Sequence, residues 1–233
     1  MSLSLFRRCL IISASLLAAT GAYAAEPINL FDGSSLAGWE GQTGLWSVED
    51  GAITGETKAD APLKSNSFLI WRKGTVKNFT LTFAYRILSD SANSGVQYRS
   101  VDKGNFVVQG YQADFEAGPK YSGINYGEKT NRGILAERGQ RAWLADGKEK
   151  KKTESFADGA ALQSSVKGKG EWNLYKVTAN GRTMTHEING TLMSETIDES
   201  EKDFVPEGIV ALQLHVGKPM KVQFKDMILT PIE

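Results

Sequence analysis

The stretch Trp172-Asn173-Leu174-Tyr175-Lys176-Val177-Thr178-Ala179-Asn180-Gly181-Arg182-Thr183-Met184-Thr185-His186-Glu187-Ile188-Asn189-Gly190 decides the fold class. Two β-prone runs, 172–178 and 183–188, each lead to an Asn-Gly pair. Asn-Gly favours tight hairpins because both central turn residues need φ > 0. Outward from this stretch, Phe79 to Arg86 alternates apolar with small or polar residues, the period of a half-buried strand. Gly95 to Arg99 and Tyr111 to Glu116 repeat the pattern. Ile209–Val216 and Met220–Leu229 read as two more strands joined at Gly217-Lys218-Pro219. Helix signals are scarce. The run Asp146 to Thr153 is charged with no apolar stripe and reads as a solvated loop or exposed turn, with no role in nucleic-acid binding. The Gly-rich stretches 117–133 and 158–170 read as long loops over the sheet edge, where function often resides. The expectation is a mostly antiparallel β-sandwich.

The N-terminus reads as an export signal over residues 1–24. Arg7 and Arg8 form a positive start, Cys9 to Leu17 a short apolar stretch, and Ala22-Tyr23-Ala24 an A-x-A cleavage pattern. That apolar stretch is shorter than the roughly 20 residues a bilayer span needs. No later segment comes near it, so no membrane association is expected. Cleavage would leave 25 basic against 27 acidic residues and remove the one cysteine. The mature chain, 25–233, is then neither a polyanion binder by bulk charge nor a disulfide scaffold. Its length suits one undivided β domain, in a protein expected in the periplasm or outside the cell.

Alternation also sorts side chains by face. Val96 and Tyr98 share one face of their strand, leaving Gln97 and Arg99 on the other. Tyr111, Ala113 and Phe115 oppose Gln112, Asp114 and Glu116; Leu212, Leu214 and Val216 oppose Gln213 and His215. Plain solvent faces favour Lys, Glu and Thr. Amides and a guanidinium suit directional recognition of hydroxyls, a sugar-binding inventory. If the three strands share a sheet, these groups converge on one polar surface.

Several motifs carry a resemblance. Leu30-Phe31-Asp32-Gly33-Ser34-Ser35-Leu36-Ala37-Gly38-Trp39 is similar to the opening of the 3-keto-disaccharide hydrolase, or 3-keto-glucoside lyase/hydratase, family, once called domain of unknown function 1080. So are Trp46 to Ile53, Asn93 to Arg99, Gly110 to Asp114, Glu171-Trp172-Asn173, Asn189-Gly190 and Gly208 to His215, in the family's order along the mature chain. The resemblance implies an all-β, concanavalin A-like jelly-roll sandwich of two antiparallel sheets. It also implies action on glycosides already oxidised to a ketone at sugar carbon 3, which a sugar 3-dehydrogenase would supply. Many members have Glu where this chain has Gln112; here the acid stands at Asp114.

That reaction removes the proton on carbon 2, expels the aglycone from carbon 1 and adds water. It needs a base, a site for the enolate oxygen and an acid for the leaving group. Asp114 or His215 is the expected base, Arg99 the enolate site and Glu128 the acid. Gln97, Gln112 and Gln213 are expected to bind hydroxyls, Tyr126 and Trp143 to stack on sugar, and Arg132 to belong to a loop lid. Asp114, Glu116, Glu128 and His215 are donors compatible with a divalent metal. No tight ligand spacing supports one, so no metal ligand is assigned, and a divalent metal stays an open alternative to a cofactor-free site. His186 reads as a surface hairpin residue. The competing class is a non-catalytic glycan-binding module of the same fold.

Overall fold

A computed structural model describes residues 26–233, so the expected export signal lies outside the described residues. In chain order the strands are β1 (Ile28–Asn29), β2 (Trp39–Glu40), β3 (Trp46–Glu49), β4 (Ala52–Glu56), β5 (Ser67–Trp71) and β6 (Phe79–Ile87). Then come β7 (Asn93–Asp102), β8 (Val108–Glu116), β9 (Asn125–Glu128), β10 (Gly133–Ala136), β11 (Gln140–Leu144) and β12 (Lys150–Ser155). The last are β13 (Asn173–Asn180), β14 (Thr183–Ile188), β15 (Thr191–Asp198), β16 (Ile209–Leu214) and β17 (Lys221–Pro231). They form two sheets. The 10-stranded sheet runs β12-β11-β15-β14-β13-β6-β17-β4-β3, with β1 beside β17, and the 7-stranded sheet runs β10-β9-β8-β7-β16-β5-β2. Pairing is antiparallel except between β11 and β15. This is a jelly-roll sandwich. No helix among the described residues is long and apolar enough to cross a membrane.

The core lies between the sheets because every long strand places alternate apolar residues inward. Phe79, Leu81, Phe83 and Tyr85 of β6 meet Tyr98 of β7, Tyr111 and Phe115 of β8 and Leu212 of β16, all buried. Tyr85 and Phe115 stack with ring centroids 3.9 Å apart, joining one sheet to the other. Burying each such side chain contributes roughly 1.5–3 kcal/mol. With one face of the 7-stranded sheet so committed, its polar side chains must emerge on the far face. That face carries the site.

The decisive stretch folds as β13, β14 and the turn into β15. At Asn189-Gly190 both φ angles are positive, 51° and 80°, as a primed turn requires. At the other pair only Gly181 is positive, because Asn180 pairs with Thr183 and the central residues are Gly181 and Arg182. The run 146–153, expected as a solvated loop or turn, instead leads into the edge strand β12, which takes up its residues from Lys150 onward. Its lysines suit an edge, where charge discourages pairing with another chain. The stretch 117–133 is not all loop either, for it contains β9. Helix α1 (Gly159–Leu162), capped by the Asp158 carboxylate on the Ala160 N–H at 2.8 Å, interrupts 158–170. Strands β16 and β17 lie in different sheets, so the Gly217-Lys218-Pro219 turn crosses between them. Val216, expected inward, lies beyond β16 and is exposed.

Candidate active site

The outer face of the 7-stranded sheet opens into a cavity of about 670 Å³ between β7, β8, β9, β16 and the loops that flank them. Gln112, Asp114, Tyr126, Glu128, Gln213 and His215 line it, so six residues chosen from the sequence do converge. Register explains this. Gln97 pairs with Gln112 and Gly95 with Asp114 across β7 and β8, Gln112 pairs with Tyr126 across β8 and β9, and β16 lies on the other side of β7. Successive outward side chains therefore form a cross-strand ladder.

The floor is a chain of amides with one direction. Ser100 Oγ donates to Gln97 Oε1 at 2.8 Å, and Gln97 Nε2 donates to Gln112 Oε1 at 2.6 Å. Gln112 Nε2 donates to Asp114 Oδ1 at 3.3 Å and to Gln213 Oε1 at 3.2 Å. Gln213 Nε2 reaches Glu128 Oε2 at 3.4 Å, and Asn66 Nδ2 donates to Glu128 Oε1 at 3.1 Å. Asn66 is itself held by the Val216 N–H on its Oδ1 at 2.9 Å. Amide donors thus face both acids.

The acids sit where charge is unwelcome. Asp114 and Glu128 are each 5% exposed. Burial pushes the Asp114 carboxyl well above the usual range; the Gln112 N–H opposes that, and the Glu116 and Glu128 charges reinforce it. Burial also raises Glu128, against the Asn66 hydrogen bond and the Lys129 and His215 charges. Tyr126 is raised by burial and by the same two carboxyls. His215 Nδ1 lies 2.5 Å from the Val216 carbonyl oxygen. A carbonyl only accepts, so Nδ1 carries the proton and Nε2 of the neutral ring keeps a free lone pair.

Four sequence assignments fall away from the cavity. Arg99 has φ 44° at a bulge between Tyr98 and Val101, which breaks the alternation. Its guanidinium is buried and donates to the carbonyls of Lys77 and Gly181 and to Asn78 Oδ1, clamping loops rather than facing substrate. Gln97 is fully buried beneath Gln112 and touches no cavity space. Arg132 makes a buried two-pronged pair with Asp198, at 2.7 and 3.0 Å. Trp143 belongs to β11 in the other sheet, between Arg141 and Lys152. His186 is not at the surface: it is buried between Tyr98 and Tyr175. Conversely, Asn66, Ser91, Asn93, Tyr121, Lys129 and Thr130 also line the cavity. They sit in loops or at strand ends, where alternation gives no signal; Asn93 alone lay within a family motif. No group of three or more His, Cys, Asp or Glu side chains able to hold a metal occurs among the described residues.

Residues 26–230 match the family model described as the 3-keto-alpha-glucoside-1,2-lyase-like domain. The chain belongs to this family. The membership supports a carbohydrate-active role for the chain. Among solved structures, two from Parabacteroides distasonis described as candidate glycosyl hydrolases are similar to it. One is 14% identical with a TM-score of 0.59, covering 89% of this chain and 100% of the other. The second is 16% identical with a TM-score of 0.57, covering 89% and 94%. A carbohydrate binding module from Bacillus subtilis is 13% identical with a TM-score of 0.51, covering 82% and 93%. At these identities the likeness is one of fold. The search of curated proteins returned no match.

Proposed function

We propose that the lyase-like domain cleaves 3-keto-glycosides by eliminating the aglycone and then adding water. One observation carries this reading: Asp114, Glu128 and His215 converge over a directed amide floor in a cavity of about 670 Å³. That volume is within the usual range for small-molecule sites, about 300–1,000 Å³.

The protonation states divide the work. His215, whose Nδ1–H is spent on the Val216 carbonyl, uses the Nε2 lone pair of its neutral tautomer as the base that takes the proton from carbon 2. Asp114, kept neutral by burial, donates its O–H to the carbon 3 oxygen as negative charge develops there, in place of the guanidinium expected from Arg99. Glu128 protonates the departing aglycone oxygen as the bond to carbon 1 breaks. The product is an unsaturated keto sugar. Water then adds to carbon 1, giving its proton to the Glu128 carboxylate, while the imidazolium of His215 returns a proton to carbon 2. The sum is hydrolysis. Gln112, Gln213 and Asn66 orient the acids, and Tyr126 offers a ring to the sugar. The ketone implies an upstream sugar 3-dehydrogenase. The Arg7-Arg8 to Ala24 signal supports work in the periplasm or outside the cell.

The test compares a 3-keto-glucoside with its parent glucoside. Aglycone release from the ketone alone is expected, and D114N and H215A should each lower kcat/KM by about 10²-fold or more. Full activity in both variants refutes the assignment. Binding without turnover would leave a glycan-binding module.

A further inference from the structure

Gln112 does not stand off the sheet as an outward residue of β8 ordinarily would. It lies across the neighbouring strand, over Gly95. A Cβ added to Gly95 would fall 2.6 Å from Gln112 Cγ and 2.8 Å from its Cδ and Nε2, closer than real Cβ contacts. Gly95 is the cross-strand partner of Asp114. Its φ is not positive, so the backbone places no demand for glycine there. What the position supplies is room, and the Gln112 amide occupies it.

We propose that Gly95 is a positioning residue for the site, seating the Gln112 amide where a single NH2 group bridges Asp114 and Gln213. The proposal rests on the site being the one described under Proposed function. From this seat Gln112 accepts from Gln97 at 2.6 Å and donates to Asp114 at 3.3 Å and Gln213 at 3.2 Å. A side chain at position 95 would lift the amide off the floor. Asp114 would then lose its side-chain donor, and Gln213 would lose the N–H that holds its oxygen while its own N–H faces Glu128. One methyl group, whose three nearest atoms would all belong to Gln112, would therefore disturb both acids at once. A residue chosen only for close packing would lack this directional consequence.

The surroundings of Asp114 matter for the test. It is faced by Glu116 on its own strand, by Tyr126 and Glu128 on β9, and by Tyr121, Lys129 and His215 on the flanking loops. Tyr175 approaches from the opposite sheet. None of these is altered by changing Gly95 or Gln97.

The experiment compares G95A, Q112A, G95A/Q112A and Q97M with the wild type, each checked for folding by thermal melting. Two readouts are taken: kcat and KM on a 3-keto-glucoside, and the titration midpoint of Asp114 followed by carboxyl carbon NMR. G95A should lower kcat about tenfold or more, as misplacement by a fraction of an ångström can, with KM changed by less than about threefold. It should move the Asp114 midpoint upward by about half a pH unit, because a lost donor favours the neutral form. Q112A and Q97M should move it the same way, and G95A should add nothing in the Q112A background. An unmoved midpoint in folded G95A, or an equal further loss in Q112A, overturns the proposal. Should G95A alone fail to fold, the double variant must fold, since the clash is gone; its failure also overturns the proposal. Should the wild type not turn over the ketone, the functional reading falls while the titration still decides on Gly95.

Discussion

Acidification should destabilise this protein through one buried imidazole. His186 sits on β14, fully enclosed, with Nε2 2.9 Å from the Tyr98 hydroxyl. Its Nδ1 lies 3.1 Å from the Ile124 carbonyl and 3.2 Å from the Tyr175 hydroxyl. That arrangement suits a neutral ring that donates from Nδ1 and accepts at Nε2. Burial lowers its pKa from 6.5 to about 3. The unfolded chain binds a proton near pH 6.5, whereas the folded one refuses it until about pH 3. The associated stability is whole above the unfolded value and drains away as pH falls from about 6.5 to 3. The slope is about 1.4 kcal/mol per pH unit, so about 2.7 kcal/mol is lost between pH 7.5 and 4.5. Asp114 and Glu128 act with the opposite sign. Their folded pKa values are raised, so acid favours their folded, neutral forms and masks part of the loss. A comparison with H186Q, which carries no titrating ring, removes that background. Urea unfolding followed by tryptophan fluorescence at the two pH values gives the difference directly. The stability gap between wild type and H186Q should shift by about 2.7 kcal/mol in the variant's favour on going to pH 4.5. An unchanged gap refutes the reasoning.

Other expectations follow from the same contacts. D198N leaves Arg132 buried beside Tyr111 without its anion and should cost about 3–5 kcal/mol, read as a lower midpoint in urea. W143A should leave turnover of the 3-keto-glucoside unchanged, and R99A should lower stability with the pH–rate profile kept in shape, since neither side chain reaches the cavity. E128Q should slow a methyl 3-keto-glucoside about 10²-fold more than a 4-nitrophenyl one, because only the poor leaving group needs the acid.

Much of the site was legible because a strand's period of two is a geometric fact about the backbone. Gln112, Asp114 and Gln213 fall outward for the same reason that Ala113, Phe115 and Leu212 fall inward. Tyr126 and Glu128 were reached differently, through a Gly-rich stretch that proves to contain β9. Arg99 obeyed the pattern on paper, yet a left-handed residue at a bulge turned it away, and no neighbouring residue advertises that bulge. Asn66 and Lys129 come from connections where no period operates. His186 looked like a hairpin surface residue because burial depends on what the opposite sheet brings, here Tyr98.

The sequence alone determined the sandwich, the hairpin at Asn189-Gly190 and the family, since local alternation, turn chemistry and ordered motifs are properties of the chain itself. Only the tertiary structure decided that Asp114, Glu128 and His215 meet, that Arg99, Arg132 and Trp143 stay apart from them, and that Gly95 makes room for Gln112. Those outcomes depend on strand order, register and a bulge. All three are set by contacts between residues far apart in the chain, to which a one-dimensional pattern is blind.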